Sequence, residues 1–118
     1  MPRMSPLLLD ALNEARPLAA ERGWQLPAEQ TLAEANRLLT LVSSDWRPPA
    51  VSVEPDGTVS LEWEAGARGW LKLTVAGAGT LSHSAVIEGD DYEQTETLDN
   101  ALPDWAHALL GKLLGTGH

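Results

Sequence analysis

Histidine is the side chain best suited to acid–base chemistry near neutral pH, and one of the three in this chain, His83, stands between two serines. Cross-strand counting brings His83 near Glu96, so a Ser-His-Glu arrangement can be drawn. Neighbouring residues in a strand point to opposite faces, so neither Ser82 nor Ser84 easily reaches the His83 ring. A hydrogen-bonded histidine at the sheet margin is therefore the first interpretation. A small hydrolase or ligand-binding domain using His83 and Glu96 is the alternative.

The other histidines and the acidic residues give no recognisable catalytic or metal pattern. His107 follows Asp104 by three residues, as expected of two surface residues in the first turn of a helix, and His118 is terminal. The absence of cysteine excludes thiol catalysis and zinc sites built on thiolates. An acidic turn lacks the regularly spaced oxygens of a calcium loop; its members are Glu88, Asp90, Asp91 and Glu93. We predict no catalytic residue, no metal and no cofactor.

One glycine pair begins like a dinucleotide-binding loop. Gly77-Ala78-Gly79 has the first two glycines of that fingerprint, but the third is missing and a strand is predicted to follow. Without a helix N-terminus a phosphate has no dipole to bind. The sequence therefore predicts a turn at this position and no phosphate site.

The chain has five tryptophans and no phenylalanine. Trp63 and Trp105 fit apolar stripes and are predicted to lie in the core. Trp70 falls with Lys72 and Thr74 on the face of its strand that is turned away from the apolar residues. Exposed tryptophan is favoured at the centres of protein interfaces, which makes Trp70 a candidate partner contact. Packing against a loop or a helix edge is the alternative.

The net charge of −9 is concentrated in the second half of the chain. Between Glu54 and Asp104 there are eleven acidic residues and two basic ones. Such a chain is repelled by nucleic acid and by anionic membrane surfaces. The acidity either serves solubility alone or forms a docking surface for a basic protein, such as a nucleic-acid-binding protein whose cationic groove it would occlude.

These residues are positioned by two kinds of element. Helical spacing of apolar residues predicts an N-terminal helix that starts at Ser5-Pro6 and ends at Gly23, and a second helix from Pro27 to Val42. Pro17 predicts a kink in the first helix or its division into two short helices. A C-terminal helix is predicted at about residues 104–114.

From Ala50 the apolar period changes to two, with turn residues at short, regular intervals. This pattern predicts five strands in an antiparallel meander, with a turn at residues 88–91 before the last strand. A hairpin centred on Asp56 places Val53 opposite Val59, and one centred on Ala67 places Lys72 opposite Glu62. Residues 1–118 are thus predicted to form a single α+β domain, with two N-terminal helices, a five-stranded meander sheet and a C-terminal helix.

A resemblance covers roughly residues 20–75. Gly23-Trp24, a proline-rich joint and a Pro55-Asp56-Gly57 hairpin closing on Leu61-Glu62-Trp63 resemble a loose group of small bacterial α+β proteins, mostly uncharacterised. The resemblance implies helices packed on a meander and brings no catalytic residues. Some members of the group look like parts of two-gene modules, such as antitoxins or immunity factors, which is an association only.

We therefore expect a non-catalytic, acidic protein-binding domain, similar to an antitoxin, immunity protein or inhibitor, that docks a basic partner through its sheet face. The chain lacks the apolar run of a secretory signal or a membrane span, so a cytoplasmic protein is expected, without direct nucleic-acid or membrane contact. It is expected to be a monomer or a homodimer, and a homo-oligomeric assembly subunit is a further alternative. The predicted partner-binding residues are Glu62, Glu64, Trp70, Asp90, Asp91 and Glu93.

Overall fold

A computed structural model describes residues 4–42, 46–98 and 102–115. The elements, in chain order, are α1 (Pro6–Arg22), α2 (Glu29–Val42), β1 (Ala50–Val53), β2 (Val59–Glu64), β3 (Gly69–Val75), β4 (Thr80–Ile87), β5 (Asp90–Thr97) and α3 (Asp104–Leu114). The strands form one antiparallel sheet in the order β1-β2-β3-β4-β5. This confirms the predicted α+β meander. His118 and the first part of the predicted proline-rich joint lie outside the described residues.

The strand register follows the alternation of the sequence. Val53 pairs with Val59, and Lys72 stands opposite Glu62, as both hairpin centres predicted. Trp63 is 1% exposed and belongs to the core, which confirms its prediction. Because a shift by one residue would turn every apolar side chain to water, burial of one face fixes this register.

All three helices cover the same face of the sheet, called here the inner face. α1 contacts β1, α2 contacts β2 and β3, and α3 contacts β3 and β4. The core joins apolar residues from all three helices to the inward-pointing residues of the sheet, for example Leu38, Leu110, Leu61, Leu73 and Leu81, each fully buried. A sheet with one apolar face requires such a cover.

The first helix is continuous, so the predicted division into two short helices is wrong. α1 runs unbroken from Pro6 to Arg22 with Pro17 inside it. Pro17 and Asn13 both lie on the exposed side of the helix, where water can hydrate the carbonyl group that proline leaves without a donor. Gly23 then ends the helix in the left-handed conformation, with φ of 70°.

The last hairpin is tighter than predicted. The turn consists of Glu88 and Gly89 alone, both with positive φ (52° and 85°), the geometry that suits the twist of a two-residue hairpin. Asp90 and Asp91 are consequently residues of β5, paired with Ile87 and Val86, and do not belong to the turn.

Candidate functional site

The face of the sheet turned away from the helices, called here the outer face, carries a row of four residues across four strands. Glu64 pairs with Trp70, Trp70 with Val86, and Val86 with Asp91. Directly opposed residues of antiparallel strands have their side chains about 5 Å apart on the same face. The row therefore sets an apolar pair, Trp70 and Val86, between two carboxylates.

Trp70 is half-buried, in contrast to the enclosed Trp63 of the neighbouring strand. Its position in β3 alternates with Leu71, which points into the core. The apolar surface of Trp70 and Val86 is partly open to water because the helices lie on the other side of the sheet. Burial of such apolar surface under a partner stabilises a complex.

A second row on the outer face is charged. Glu62, Lys72, Ser84 and Glu93 stand opposite one another in consecutive strands. Lys72 is nevertheless ion-paired with Glu54, at 3.5 Å between Nζ and Oε1. Both side chains are about one-third exposed, so the pair adds little stability.

A third row, which the sequence analysis did not single out, consists entirely of hydroxyl side chains. It follows from the register and contains Ser52, Ser60, Thr74, Ser82 and Thr95. The hydroxyls of Ser60 and Thr74 are 3.1 Å apart, and those of Ser82 and Thr95 are 3.0 Å apart. Extending the predicted register strand by strand would have revealed this row. The row that contains Lys72 separates the hydroxyl row from the Trp70 row.

Five of the six predicted partner-binding residues lie on the outer face, namely Glu62, Glu64, Trp70, Asp91 and Glu93. Asp90 does not share it. Because Asp90 belongs to β5 and alternates with Asp91, it falls on the same side as Tyr92, where Lys112 of α3 donates a hydrogen bond of 3.3 Å to the Tyr92 hydroxyl.

The outer face carries strongly unequal charge. Its carboxylates outnumber its cations by five to one when Glu54 is included with the strand residues. A hollow of ≈440 Å³ opens beside Glu62 and Glu64 at the β1 edge, with Arg47 on its rim. The hollow offers space for a side chain of a partner next to two carboxylates.

His83 lies on the inner face and is only 5% exposed. Its ring stacks on Trp105 with centroids 4.0 Å apart, so Trp105 is a partly buried cover for the histidine and packs at the margin of the core. The Glu96 carboxylate accepts hydrogen bonds from the Trp105 indole and from the Gln94 amide. Glu96 is thus engaged with those two groups and makes no described hydrogen bond to the imidazole.

The His83 environment favours the neutral imidazole. Burial lowers the pKa of His83, and the negative charges of Glu96 and Glu93 oppose that shift only in part. Nδ1 is buried without a hydrogen-bond partner among the described residues. Ser82 and Ser84 both lie on the outer face, and Ser82 is bonded there to Thr95, so neither neighbouring serine offers a nucleophile to this ring. The geometry therefore supports the hydrolase alternative poorly.

The glycine pair that resembled a phosphate loop does bind an anion, and that anion belongs to the protein. The carboxylate of Glu34, 2% exposed on α2, accepts hydrogen bonds from Gly77 N–H at 2.9 Å and from Gly79 N–H at 2.8 Å. Gly77 has φ of +80°, and a Cβ there would lie 2.6 Å from Thr31 Oγ1. The turn is thereby attached to α2, and its amides are not available to a phosphate.

Within the described ranges, no cluster of three or more acidic or histidine side chains is arranged to hold a metal ion. None of the described helices has the length and apolarity to cross a membrane. Comparison with protein-family models, curated proteins and solved structures finds no match to this chain. Function must therefore be argued from the outer face itself.

Proposed function

We propose that this chain is a non-catalytic protein-binding domain that docks a basic protein partner on its outer face. The observation that supports this most directly is the row of Glu64, Trp70, Val86 and Asp91 on a sheet face left open by all three helices. A partner suited to this row presents an apolar side chain with a cation on either side. An antitoxin, an immunity protein or an inhibitor of a nucleic-acid-binding protein would act in this way.

The acidic and the apolar residues of the outer face contribute to binding in different ways. The carboxylates of the outer face raise the rate of encounter with a cationic surface, an effect that weakens as salt rises. Trp70 and Val86 contribute after contact, when water is excluded from them. The hollow beside Glu62 and Glu64 accepts a lysine or arginine side chain of the partner.

The same charges disfavour self-association through the outer face. Two copies would bring like-charged rows together, which is repulsive at close range. The outer face therefore fits a different, basic chain better than a second copy of its own, and the mass of the protein in solution provides the check.

The test begins with capture of the partner from the native host and its identification by mass spectrometry. Binding of the purified partner is then measured at low and high salt for the wild-type chain and for the double variant Glu62→Lys/Glu64→Lys. We expect the variant to bind roughly tenfold or more weakly at low salt, and its affinity to depend less on salt. Trp70→Ala is expected to weaken binding at both salt concentrations, by about 2 kcal/mol if Trp70 is central to the contact.

The matched control is the double variant Asp10→Lys/Glu14→Lys, which makes the same change in net charge on the exposed side of α1. The outer face is the contact only if this control binds more tightly than the sheet variant. Equal losses in the two double variants would show that net charge alone matters. Unchanged binding in the sheet variant would refute the proposed function.

A further inference from the structure

A second hollow lies at the end of the sheet, where the β2–β3 turn meets the last turn of α3. Its volume is ≈400 Å³, within the range of sites that bind small molecules. Its described walls combine two arginines, one indole and three apolar side chains, namely Trp46, Arg47, Ala65, Arg68, Leu113 and Leu114.

Two guanidinium groups line this hollow in a chain of net charge −9. Within residues 4–42, 46–98 and 102–115, the ion pair between Lys72 and Glu54 is the one contact of a basic side chain with a carboxylate. Neither Arg47 nor Arg68 therefore forms an ion pair with a described carboxylate, although Arg47 also lines a hollow with Glu62 and Glu64. These two unpaired cations make the hollow locally positive, whereas the outer face of the sheet is negative.

Both arginines are exposed, and each contacts one backbone carbonyl group, which leaves most of their donors free. Arg47 donates through Nη2 to the carbonyl oxygen of Glu64, and its own carbonyl oxygen accepts a bond of 2.8 Å from the Trp63 indole. Arg68 Nη1 lies 3.5 Å from the carbonyl oxygen of Leu113. A guanidinium has five N–H donors, so each arginine retains donors for a ligand.

Trp46 contributes its ring to the wall of the hollow. Its Nε1 is buried and has no hydrogen-bond acceptor in the part of the chain that the structure describes, although buried polar groups are normally satisfied. The ring is fixed by an edge contact with His107, with centroids 4.7 Å apart. The Trp46 ring therefore forms a fixed aromatic wall of the hollow.

We propose that this hollow binds a small amphipathic carboxylate. The carboxylate is held by the guanidinium groups of Arg47 and Arg68, whose planar forks match its two oxygens, and it lies beside the Trp46 ring. The apolar body of the ligand lies against the alanine and leucine walls. Arg47 also lines the hollow beside Glu62 and Glu64, but binding of a small carboxylate does not require the proposed partner and is tested without it.

The test uses 3-phenylpropionate as the probe and the full chain labelled with ¹⁵N. The indole N–H resonance of Trp46, assigned by its absence in Trp46→Phe, is expected to move as the probe is added. The neutral 3-phenylpropionamide lacks the charge, and acetate lacks the apolar body. Each is expected to bind roughly tenfold or more weakly.

The variants Arg47→Gln and Arg68→Gln are each expected to weaken 3-phenylpropionate binding roughly tenfold. Arg16→Gln, which removes the same charge from the exposed side of α1, should leave it unchanged. The proposal is overturned if the amide binds as well as the acid, if both arginine variants bind like wild type, or if the Trp46 resonance does not move up to the solubility limit of the probe. The comparison of acid, amide and acetate uses the wild-type chain, so it remains decisive if a variant fails to fold.

Discussion

The carboxylate of Glu34 connects α2 to the turn between β3 and β4, and its removal should cost far more stability than that of an ordinary surface acid. Glu34→Ala removes the acceptor of two backbone N–H groups, those of Gly77 and Gly79, bonded at 2.9 and 2.8 Å. A hydrogen bond to a charged group contributes about 1.5–3 kcal/mol. Gly79 is exposed and Gly77 half-buried, so water can hydrate part of what is lost.

We therefore expect Glu34→Ala to lower the free energy of unfolding by about 2–4 kcal/mol. With a urea dependence of about 2 kcal/mol per molar, the unfolding midpoint falls by roughly 1–2 M. Glu34→Gln keeps one acceptor oxygen but turns an NH₂ group toward the other amide, so its midpoint should lie between those of wild type and Glu34→Ala. The measurement is urea unfolding followed by tryptophan fluorescence.

The control is Glu14→Ala, the same substitution at an exposed position of α1, expected to change stability by no more than about 0.5 kcal/mol. Amide exchange adds a local measurement, because Gly77 and Gly79 should lose protection in Glu34→Ala beyond the loss explained by global stability. If Glu34→Ala is destabilised no more than Glu14→Ala, the two bonds contribute no net stability and the reasoning is refuted.

Two further predictions concern the same turn and the buried histidine. Gly77 and Gly79 both have positive φ, but only at Gly77 would a Cβ collide, with Thr31 Oγ1 at 2.6 Å. In urea unfolding, Gly79→Ala should therefore lower the free energy of unfolding by about 1–2 kcal/mol, and Gly77→Ala should lower it clearly more. Equal losses would contradict the close approach of Thr31 to this turn. Burial lowers the pKa of His83 below 6.5, so the unfolded chain binds a proton more readily than the folded chain. The contribution of His83 to the free energy of unfolding should be complete above about pH 6.5. Below that pH the free energy of unfolding should fall by up to about 1.4 kcal/mol per pH unit. Urea unfolding between pH 7.5 and 5.5 should show a steeper decline for wild type than for His83→Gln. Identical declines in the two proteins would exclude a role for His83.

The sheet was the most predictable part of the molecule, because its signal is local and repeated. In β2, Val59, Leu61 and Trp63 alternate with polar residues, and only one register buries all three against β3. The outer position of Trp70 follows from the same count. The alternation in β5 is weak, since its apolar content is a single tyrosine, and there the boundary of the turn was misplaced by two residues.

The features that could not be predicted depend on contacts between residues far apart in the chain. Glu34 is an acid within the mainly apolar buried stripe of α2, and nothing near it in sequence indicates that its partners are the amides of Gly77 and Gly79. The stacking of Trp105 on His83 likewise depends on how α3 crosses the sheet. The local rule that proline breaks a helix does not hold at Pro17, because its side of α1 faces water.

The order of the strands has a consequence for synthesis on the ribosome. Every strand pairs with the strand made just before it, so each hairpin can close as soon as it emerges, and such local pairing favours rapid folding. α1 and α2 are made first and are ready to shield β1 and β2. Part of the inner face of β3 and β4 is covered by α3, which follows all five strands in the chain. A nascent chain halted before residue 104 therefore exposes these apolar side chains to chaperones until the eleven residues of α3 have been made.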